Sequence, residues 1–296
     1  MAAPASPVAP EDELHLSMLT PVEQALIAQH TPFRFHTYPV GPSSTPATAR
    51  GASLLLEPYL PLSSPAPTTT APALALILTP PRASDLPAIV RTLNDPRVGL
   101  QLVGPPYPYT AQDAAERIAS KARQTADASA QLARRARVDS EWDGRRGGWV
   151  VDGLPLCAIR RADSGEWVGD FGVDRWLFED LPEGVERDRA IEENRAKQAG
   201  DESVLWTFGF YLNPEYHGQG IMTRVLRSVL ASYLFPYLNA GEVRGAAFAS
   251  NLGSVRTQEK CGFTRYMSYE REIVETRGGG RKEVALFKLR RDDFRA

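Results

Sequence analysis

The segment Phe210-Tyr211-Leu212-Asn213-Pro214-Glu215-Tyr216-His217-Gly218-Gln219-Gly220-Ile221-Met222-Thr223 holds the residue types best suited to chemistry. An apolar strand ends at Leu212, Pro214 turns the chain, and glycines open an amphipathic helix. The first amides of a helix have no intrahelical acceptor, and the helix dipole adds partial positive charge at that end. The amides of Gly218, Gln219, Gly220, Ile221, Met222 and Thr223 therefore make a candidate anion site. Glycine at 218 and 220 lets the backbone come close to a phosphate. A tight strand-to-helix turn that binds nothing has the same pattern, so this motif alone leaves both readings open.

A second segment adds polar groups at another helix start. Ala249-Ser250-Asn251-Leu252-Gly253-Ser254 follows a strand, and Glu259-Lys260-Cys261-Gly262-Phe263 closes the short helix after it. The Ser254 hydroxyl either serves a leaving group as an acid or bonds its own backbone. His217 is the only histidine near these motifs and reads as a base or as a loop contact to phosphate or solvent. Cys157 and Cys261 read as small buried apolar residues. Trp176 is a core residue or a substrate contact near the cleft. Asp170, on a strand, is a candidate terminus for a proton relay.

These segments need a scaffold, and the pattern supplies one from Leu74 onward. Leu74 to Thr79 predicts a strand, and Ser84-Asp85 caps a helix running to about Asp95. Thr110 to Arg137, rich in Ala, Gln, Arg and Lys without Gly or Pro, predicts a long helix. Leu154–Arg161 and Glu166–Val173 predict a hairpin around Ala162-Asp163-Ser164-Gly165. A charged insertion covers about 174–203; from Glu179 to Glu202 it holds nine acidic and four basic residues, 4 − 9 = −5. It reads as an exposed loop or helix, or as a negative rim that draws in a cationic amine. Val204–Leu212, the helix Gly220–Leu234, Val243–Ala249, the helix Asn251–Lys260, Phe263–Glu275 and Lys282–Arg290 complete the order.

Residues 1–73 differ in character. Of 24 prolines, 14 lie in the first 80 residues, and Pro39 to Pro72 predicts a loose loop. Thr20-Pro21-Val22-Glu23 predicts one capped helix before it, and Leu54-Leu55-Leu56 a short extra strand. The expected division is a Pro-rich arm at 1–73 and a single domain at 74–292.

Composition narrows the function classes. The chain has 296 residues, with 34 Lys plus Arg against 36 Asp plus Glu, net −2, which gives no electrostatic case for nucleic acid. Two cysteines make no disulfide framework, and four histidines form no metal-ligand spacing, so no metal is expected. The apolar run Ala73–Leu78 is too short for a bilayer, and Met1-Ala2-Ala3-Pro4-Ala5 lacks signal-peptide character. A cytoplasmic protein without a membrane partner is expected, and its oligomeric state is left open.

The loop motif, the Asn251-x-x-Ser254…Glu259-Lys260-x-Gly262-Phe263 segment and the element order together resemble the GCN5-related N-acetyltransferase (GNAT) superfamily. Pro106-Tyr107-Pro108-Tyr109-Thr110 before the long helix is similar to its RimJ/RimL-type branch. The resemblance covers Leu74 to Arg290, about three quarters of the chain. It implies an α/β (α+β) GNAT acyl-CoA N-acyltransferase fold with a mixed, mostly antiparallel twisted sheet flanked by helices. It implies acetyl-CoA as cosubstrate and an amine acceptor, a peptide N-terminus or a small amine. The strand at Phe210, Tyr211 and Leu212 would bulge and part from its neighbour to admit the pantetheine arm. His217 and the amides from Gly218 to Thr223 would hold the pyrophosphate. Asn251 would contact pantetheine or the reacting end, Ser254 would protonate the thiolate, and a backbone amide near Tyr211 or Leu212 would stabilise the oxyanion.

The chain also departs from that pattern. His217 and Met222 stand at loop positions where the family uses other residues, and Met222 is placed where it would crowd a pyrophosphate. Gln258 stands where many relatives carry an acidic tyrosine, and Thr207 where the branch often has Glu. A GNAT-fold protein that binds acyl-CoA or a partner without chemistry is therefore the competing reading.

Overall fold

The computed structural model describes residues 19–40, 53–62, 74–138 and 150–295. Met1–Ala5, His15, Trp142, Trp149 and, within Pro39–Pro72, residues 41–52 and 63–72 lie outside the described residues. Nine strands form one sheet in the order β1-β2-β3-β4-β5-β6-β7-β9-β8. The strands are β1 (Arg34–Val40), β2 (Ser53–Pro61), β3 (Leu76–Thr79), β4 (Ala158–Arg161) and β5 (Trp167–Arg175), then β6 (Trp206–Leu212), β7 (Glu242–Phe248), β8 (Thr264–Glu272) and β9 (Arg281–Arg290). All neighbours are antiparallel except β6 and β7. This is the mixed, mostly antiparallel sheet expected.

The helices are α1 (Pro21–His30), α2 (Leu86–Asn94), the single turn α3 (Pro96–Gly99), α4 (Ala111–Val138), α5 (Val185–Ala196), α6 (Ile221–Val229) and α7 (Leu252–Lys260). Their starts follow local chemistry. Thr20 Oγ1 accepts from the Glu23 amide at 3.2 Å while the Glu23 carboxylate accepts from the Thr20 amide at 2.7 Å, a reciprocal cap for α1. Asp113 accepts from the Thr110 amide at 2.7 Å before α4. The charged insertion contains α5, and the buried Asn194 zips it to the strand start, donating to the Leu205 carbonyl at 2.9 Å and accepting from the Leu205 amide at 3.0 Å.

The loose loop expected from Pro39 to Pro72 is interrupted by a nine-residue strand, β2, paired along its length with β1. The strand tolerates Pro58 because β3 is met only at Leu60↔Leu78 and Pro61↔Ile77, and Pro61 because pairing with β1 has ended at Arg34↔Tyr59. Ile27, Phe33, Leu60 and Leu62 share one core with Leu132 and Ala133 of α4. Charges tie the same region down. Glu57 accepts from His36 at 2.8 Å and from Arg82 at 2.6 Å, and the fully buried Arg160 meets Asp85 at 2.5 Å. Among the described residues no helix is long and apolar enough to cross a membrane.

Burial alone would raise the Glu57 carboxyl, but the bonds from His36 and Arg82 outweigh it and hold it below its unfolded value of 4.5. A depressed acid contributes stability above the unfolded value and loses it as pH falls through the folded one. The unfolding free energy should therefore drop below about pH 4.5, and Glu57→Gln should flatten that drop in a denaturant series across pH. Arg160→Ala, which strands Asp85, should cost about 3–5 kcal/mol in the same measurement.

Candidate active site

The site begins where pairing stops. β6 and β7 are partners only at Trp206↔Val243 and Thr207↔Arg244, after which the strands part. The β5–β6 ladder is unbroken from Arg175↔Trp206 to Gly169↔Leu212, so β6 parts from β7 without the expected bulge. On one face of this region the fully buried Gln258 side chain of α7 fills the place a Cβ of Gly245 in β7 would take, and the Phe208 ring lies 3.0 Å from that place. Phe208 in turn packs on Phe263 with ring centroids 5.3 Å apart. Gly245 thus makes room on β7 for the α7 side chain above it.

Parity fixes which β6 groups face the gap. The Asn213 amide donates to the Val168 carbonyl at 2.9 Å, and the Leu205 carbonyl accepts from the Trp176 amide at 2.9 Å, both on the β5 side. Main-chain groups alternate along a strand. Odd-numbered residues of β6, Tyr211 among them, thus address β5, and Phe208, Phe210 and Leu212 address the gap. Of the two amides expected near the reacting carbonyl, Leu212 faces the right way and Tyr211 does not.

Beyond β6 the chain makes the loop. Asn213 Oδ1 accepts from the Glu215 amide at 3.3 Å, and His217 Nε2 lies 3.1 Å from the Leu212 carbonyl. Since a carbonyl only accepts, Nε2 carries the hydrogen, and His217 braces the loop against the strand end. Gly218 and Gly220 take left-handed backbone at φ 74° and 70°, and a Cβ at either would project into open space. Gly220 begins α6 with no side-chain cap. The His217 amide donates to Pro214 and the Arg224 amide to Gly220, yet none from Gly218 to Thr223 meets a protein acceptor among the described residues. Ile221 and Met222 are buried, at 5% and 6% exposure, and anchor the helix start in the core. The Met222 side chain thus leaves the loop clear. The result is a cradle of free amides with no side chain inside it, which suits a diphosphate.

Asn251 and Ser254 sit across the gap at the start of α7. Asn251 Oδ1 accepts from the Ser254 amide at 3.2 Å, capping the helix. Ser254 Oγ lies 3.5 Å from Gln258 Nε2 and is half-exposed. Cys261, at the end of α7, packs back toward the Thr223 carbonyl at 3.5 Å, so the end of α7 leans on the start of α6.

Asp170 is elsewhere. It is buried on β5 opposite Tyr211 and paired with Arg117 of α4 at 2.5 Å. Burial raises its carboxyl, with Arg117 opposing, and burial also pushes up the neighbouring Cys157 thiol. The Tyr211 hydroxyl, beside this pair, is buried without a hydrogen-bond partner. Trp176 is core, its Nε1 donating to Asp180 at 3.1 Å. Sequence reasoning missed Phe208, Gly245 and Arg277. Arg277 donates to the Gly99 carbonyl at 2.9 Å and to that of Pro105, and Lys282 donates to Leu100 at 3.0 Å, fastening the β8–β9 end to the loop before α4. The glycine run beside Arg277 signalled only a flexible tip.

The acetyltransferase (GNAT) domain family matches residues 75–264, and the chain belongs to that family. A probable N-acetyltransferase of Bacillus subtilis (strain 168), YjcK, is 33% identical over 85 residues, 29% of this chain and 46% of that protein. The chain thus spans about half the length of the curated relative it matches. An acetyltransferase (GNAT family) from Bacillus anthracis superposes with a TM-score of 0.48 at 12% identity, covering 79% of this chain and 99% of that one. The RimL ribosomal L7/L12 α-N-protein acetyltransferase with coenzyme A gives 0.47 at 15%, covering 77% and 98%. Membership rests on the family match.

A buried hydroxyl without a partner contributes nothing to the native state that a ring hydrogen would not. Tyr211→Phe should leave the unfolding free energy within about 1 kcal/mol of the parent, or raise it, in a denaturant melt. A larger loss would mean that the hydroxyl is satisfied after all.

Proposed function

We propose that the protein moves an acetyl group from acetyl-CoA to a primary amine, a protein N-terminus or a small amine, by direct attack. The observation that carries this is the arrest of β6–β7 pairing after Thr207↔Arg244 beside a loop of unclaimed amides. The residues present fit the cosubstrate. The amides from Gly218 to Thr223 would hold the diphosphate, and the unpaired edge at Phe208, Phe210 and Leu212 would take the pantetheine arm as an added strand.

The chemistry divides among few groups. The Phe210 amide, midway along this edge, would donate to the thioester oxygen as negative charge gathers on it. The amine nitrogen forms the new C–N bond, the C–S bond breaks, and the electron pair stays on sulfur. The Ser254 hydroxyl, at the α7 start, would return a proton to that sulfur. Gln258 is buried and cannot. Holding both reactants in line supplies much of the rate. The catalytic unit on this reading spans 74–292, with α1, β1 and β2 buttressing its first strands.

Titration with acetyl-CoA and assay of free-CoA release across amines and short peptides test the proposal. Gly218→Ala/Gly220→Ala fills the cradle with two Cβ atoms and imposes left-handed strain of about 1–2 kcal/mol each. It should weaken acetyl-CoA binding at least tenfold in a protein that still folds. Ser254→Ala should lower kcat while leaving acetyl-CoA affinity intact. Binding without turnover across the panel would favour the non-catalytic reading that Thr207 and Gln258 suggest, and no binding at millimolar acetyl-CoA would reject both.

A further inference from the structure

A second pair of glycines lies on the face of the sheet opposite α6. Gly172 of β5 and Gly209 of β6 are cross-strand partners in two central strands. Glycine weakens a strand interior and marks places where something must approach the backbone. A Cβ at 209 would meet nothing within 4 Å, and one at 172 only Asp174 Oδ2 at 3.8 Å. The two glycines leave a bare floor in the sheet.

Register surrounds that floor with named groups. On the same face Asp170 and Tyr211 stand at one end, Asp174 and Thr207 at the other. Trp167, Tyr211 and Tyr109 belong to one apolar cluster, and Trp176, Phe248 and Leu286 to another. Lys282 sits over the Phe248 ring of the second cluster, and it and Arg277 donate to the carbonyls of Leu100 and Gly99, which follow Val98 of the first. The Tyr211 hydroxyl, on a residue 9% exposed, and Trp167 Nε1, on one 6% exposed, have no hydrogen-bond partner among the described residues. The gap between β6 and β7 opens just past Thr207.

The acids near this floor are mostly committed. Asp170 is taken by Arg117, Asp180 by Arg244, and Glu179 by Tyr269 and Arg271. Asp174 is exposed, its carboxylate leans toward the floor, and it has no ion pair among the described residues.

We propose that the Gly172–Gly209 floor is the acceptor site and that Asp174 receives the amine. This rests on the acetyl-transfer reading above. The carboxylate draws the acceptor's ammonium to the floor. The ammonium first yields one proton through Asp174 to solvent, which frees the lone pair. As the neutral nitrogen bonds to the acyl carbon and the C–S bond breaks, its N–H becomes acidic; that bond breaks and the second proton passes to Asp174, then to the solvent that reaches it. The acceptor class that fits is a small primary amine able to reach between the two aromatic clusters.

The experiment compares the parent with Asp174→Asn, Asp174→Glu and Asp174→Asn/Thr207→Asp. It reads acetyl-CoA binding by calorimetry and kcat/KM with small amines and N-terminal peptides over a range of pH. Asp174→Asn should lose about 100-fold in kcat/KM, the usual weight of one acid–base group. Its acetyl-CoA affinity should not change. The deficit should shrink above the amine's own pKa, where the acceptor arrives neutral. Asp174→Glu should retain most activity. Thr207 shares the pair and the face, so a carboxylate placed there should restore at least tenfold. An Asp174→Asn variant with parental kcat/KM, or one that also loses acetyl-CoA, would overturn the assignment, and so would a parent that binds acetyl-CoA and turns over nothing. A parent that fails to bind acetyl-CoA would instead sink the acetyl-transfer reading beneath it.

Discussion

Everything in this fold that could do chemistry depends on two strands that begin to pair and then stop. A parallel ladder gains hydrogen bonds with each residue added, so one that stops leaves backbone groups of β6 unpaired along its remaining edge. Beside it, Gly245 makes room on β7 for the buried Gln258 side chain. The unpaired edge of β6 would be an aggregation hazard on a sheet's outside. In the sheet's centre, flanked by the starts of α6 and α7, it is instead a protected slot.

The loop and the slot are coupled through the core. Ile221 and Met222 bury their side chains under the amides they carry, an anchorage of about 2 kcal/mol each. His217 ties the loop to the last residue of β6. Displacement of either element would move the other, so the anion cradle and the strand edge hold a fixed spacing. That spacing matters for a ligand with a diphosphate at one end and a reacting group at the other.

Local signals explain what was legible in the sequence. Strand–turn–helix with glycines at 218 and 220 showed the cradle because its donors are backbone and need no particular neighbour. The capping pairs Thr20–Glu23 and Thr110–Asp113 marked their helices for the same reason. Leu54-Leu55-Leu56 showed the middle of β2, but its full length and its pairing with β1 were hidden because Pro39, Pro58 and Pro61 break the strand pattern. The long-range groups were hidden too. Asp170 reads as an open carboxylate until Arg117, 53 residues earlier in the chain, covers it. Met222 reads as an obstruction until its side chain turns inward.

Gln258 shows how a single residue can close one chemical route and support another. A long polar side chain buried against Gly245, with Oε1 unpartnered, is a costly fit unless its shape is needed. Its amide nitrogen lies 3.5 Å from the Ser254 oxygen, one helical turn earlier, close enough to point a hydrogen at it. A hydroxyl that accepts one hydrogen bond directs its own proton elsewhere. Gln258 thus fills the place beside Gly245 and constrains the hydroxyl one turn before it.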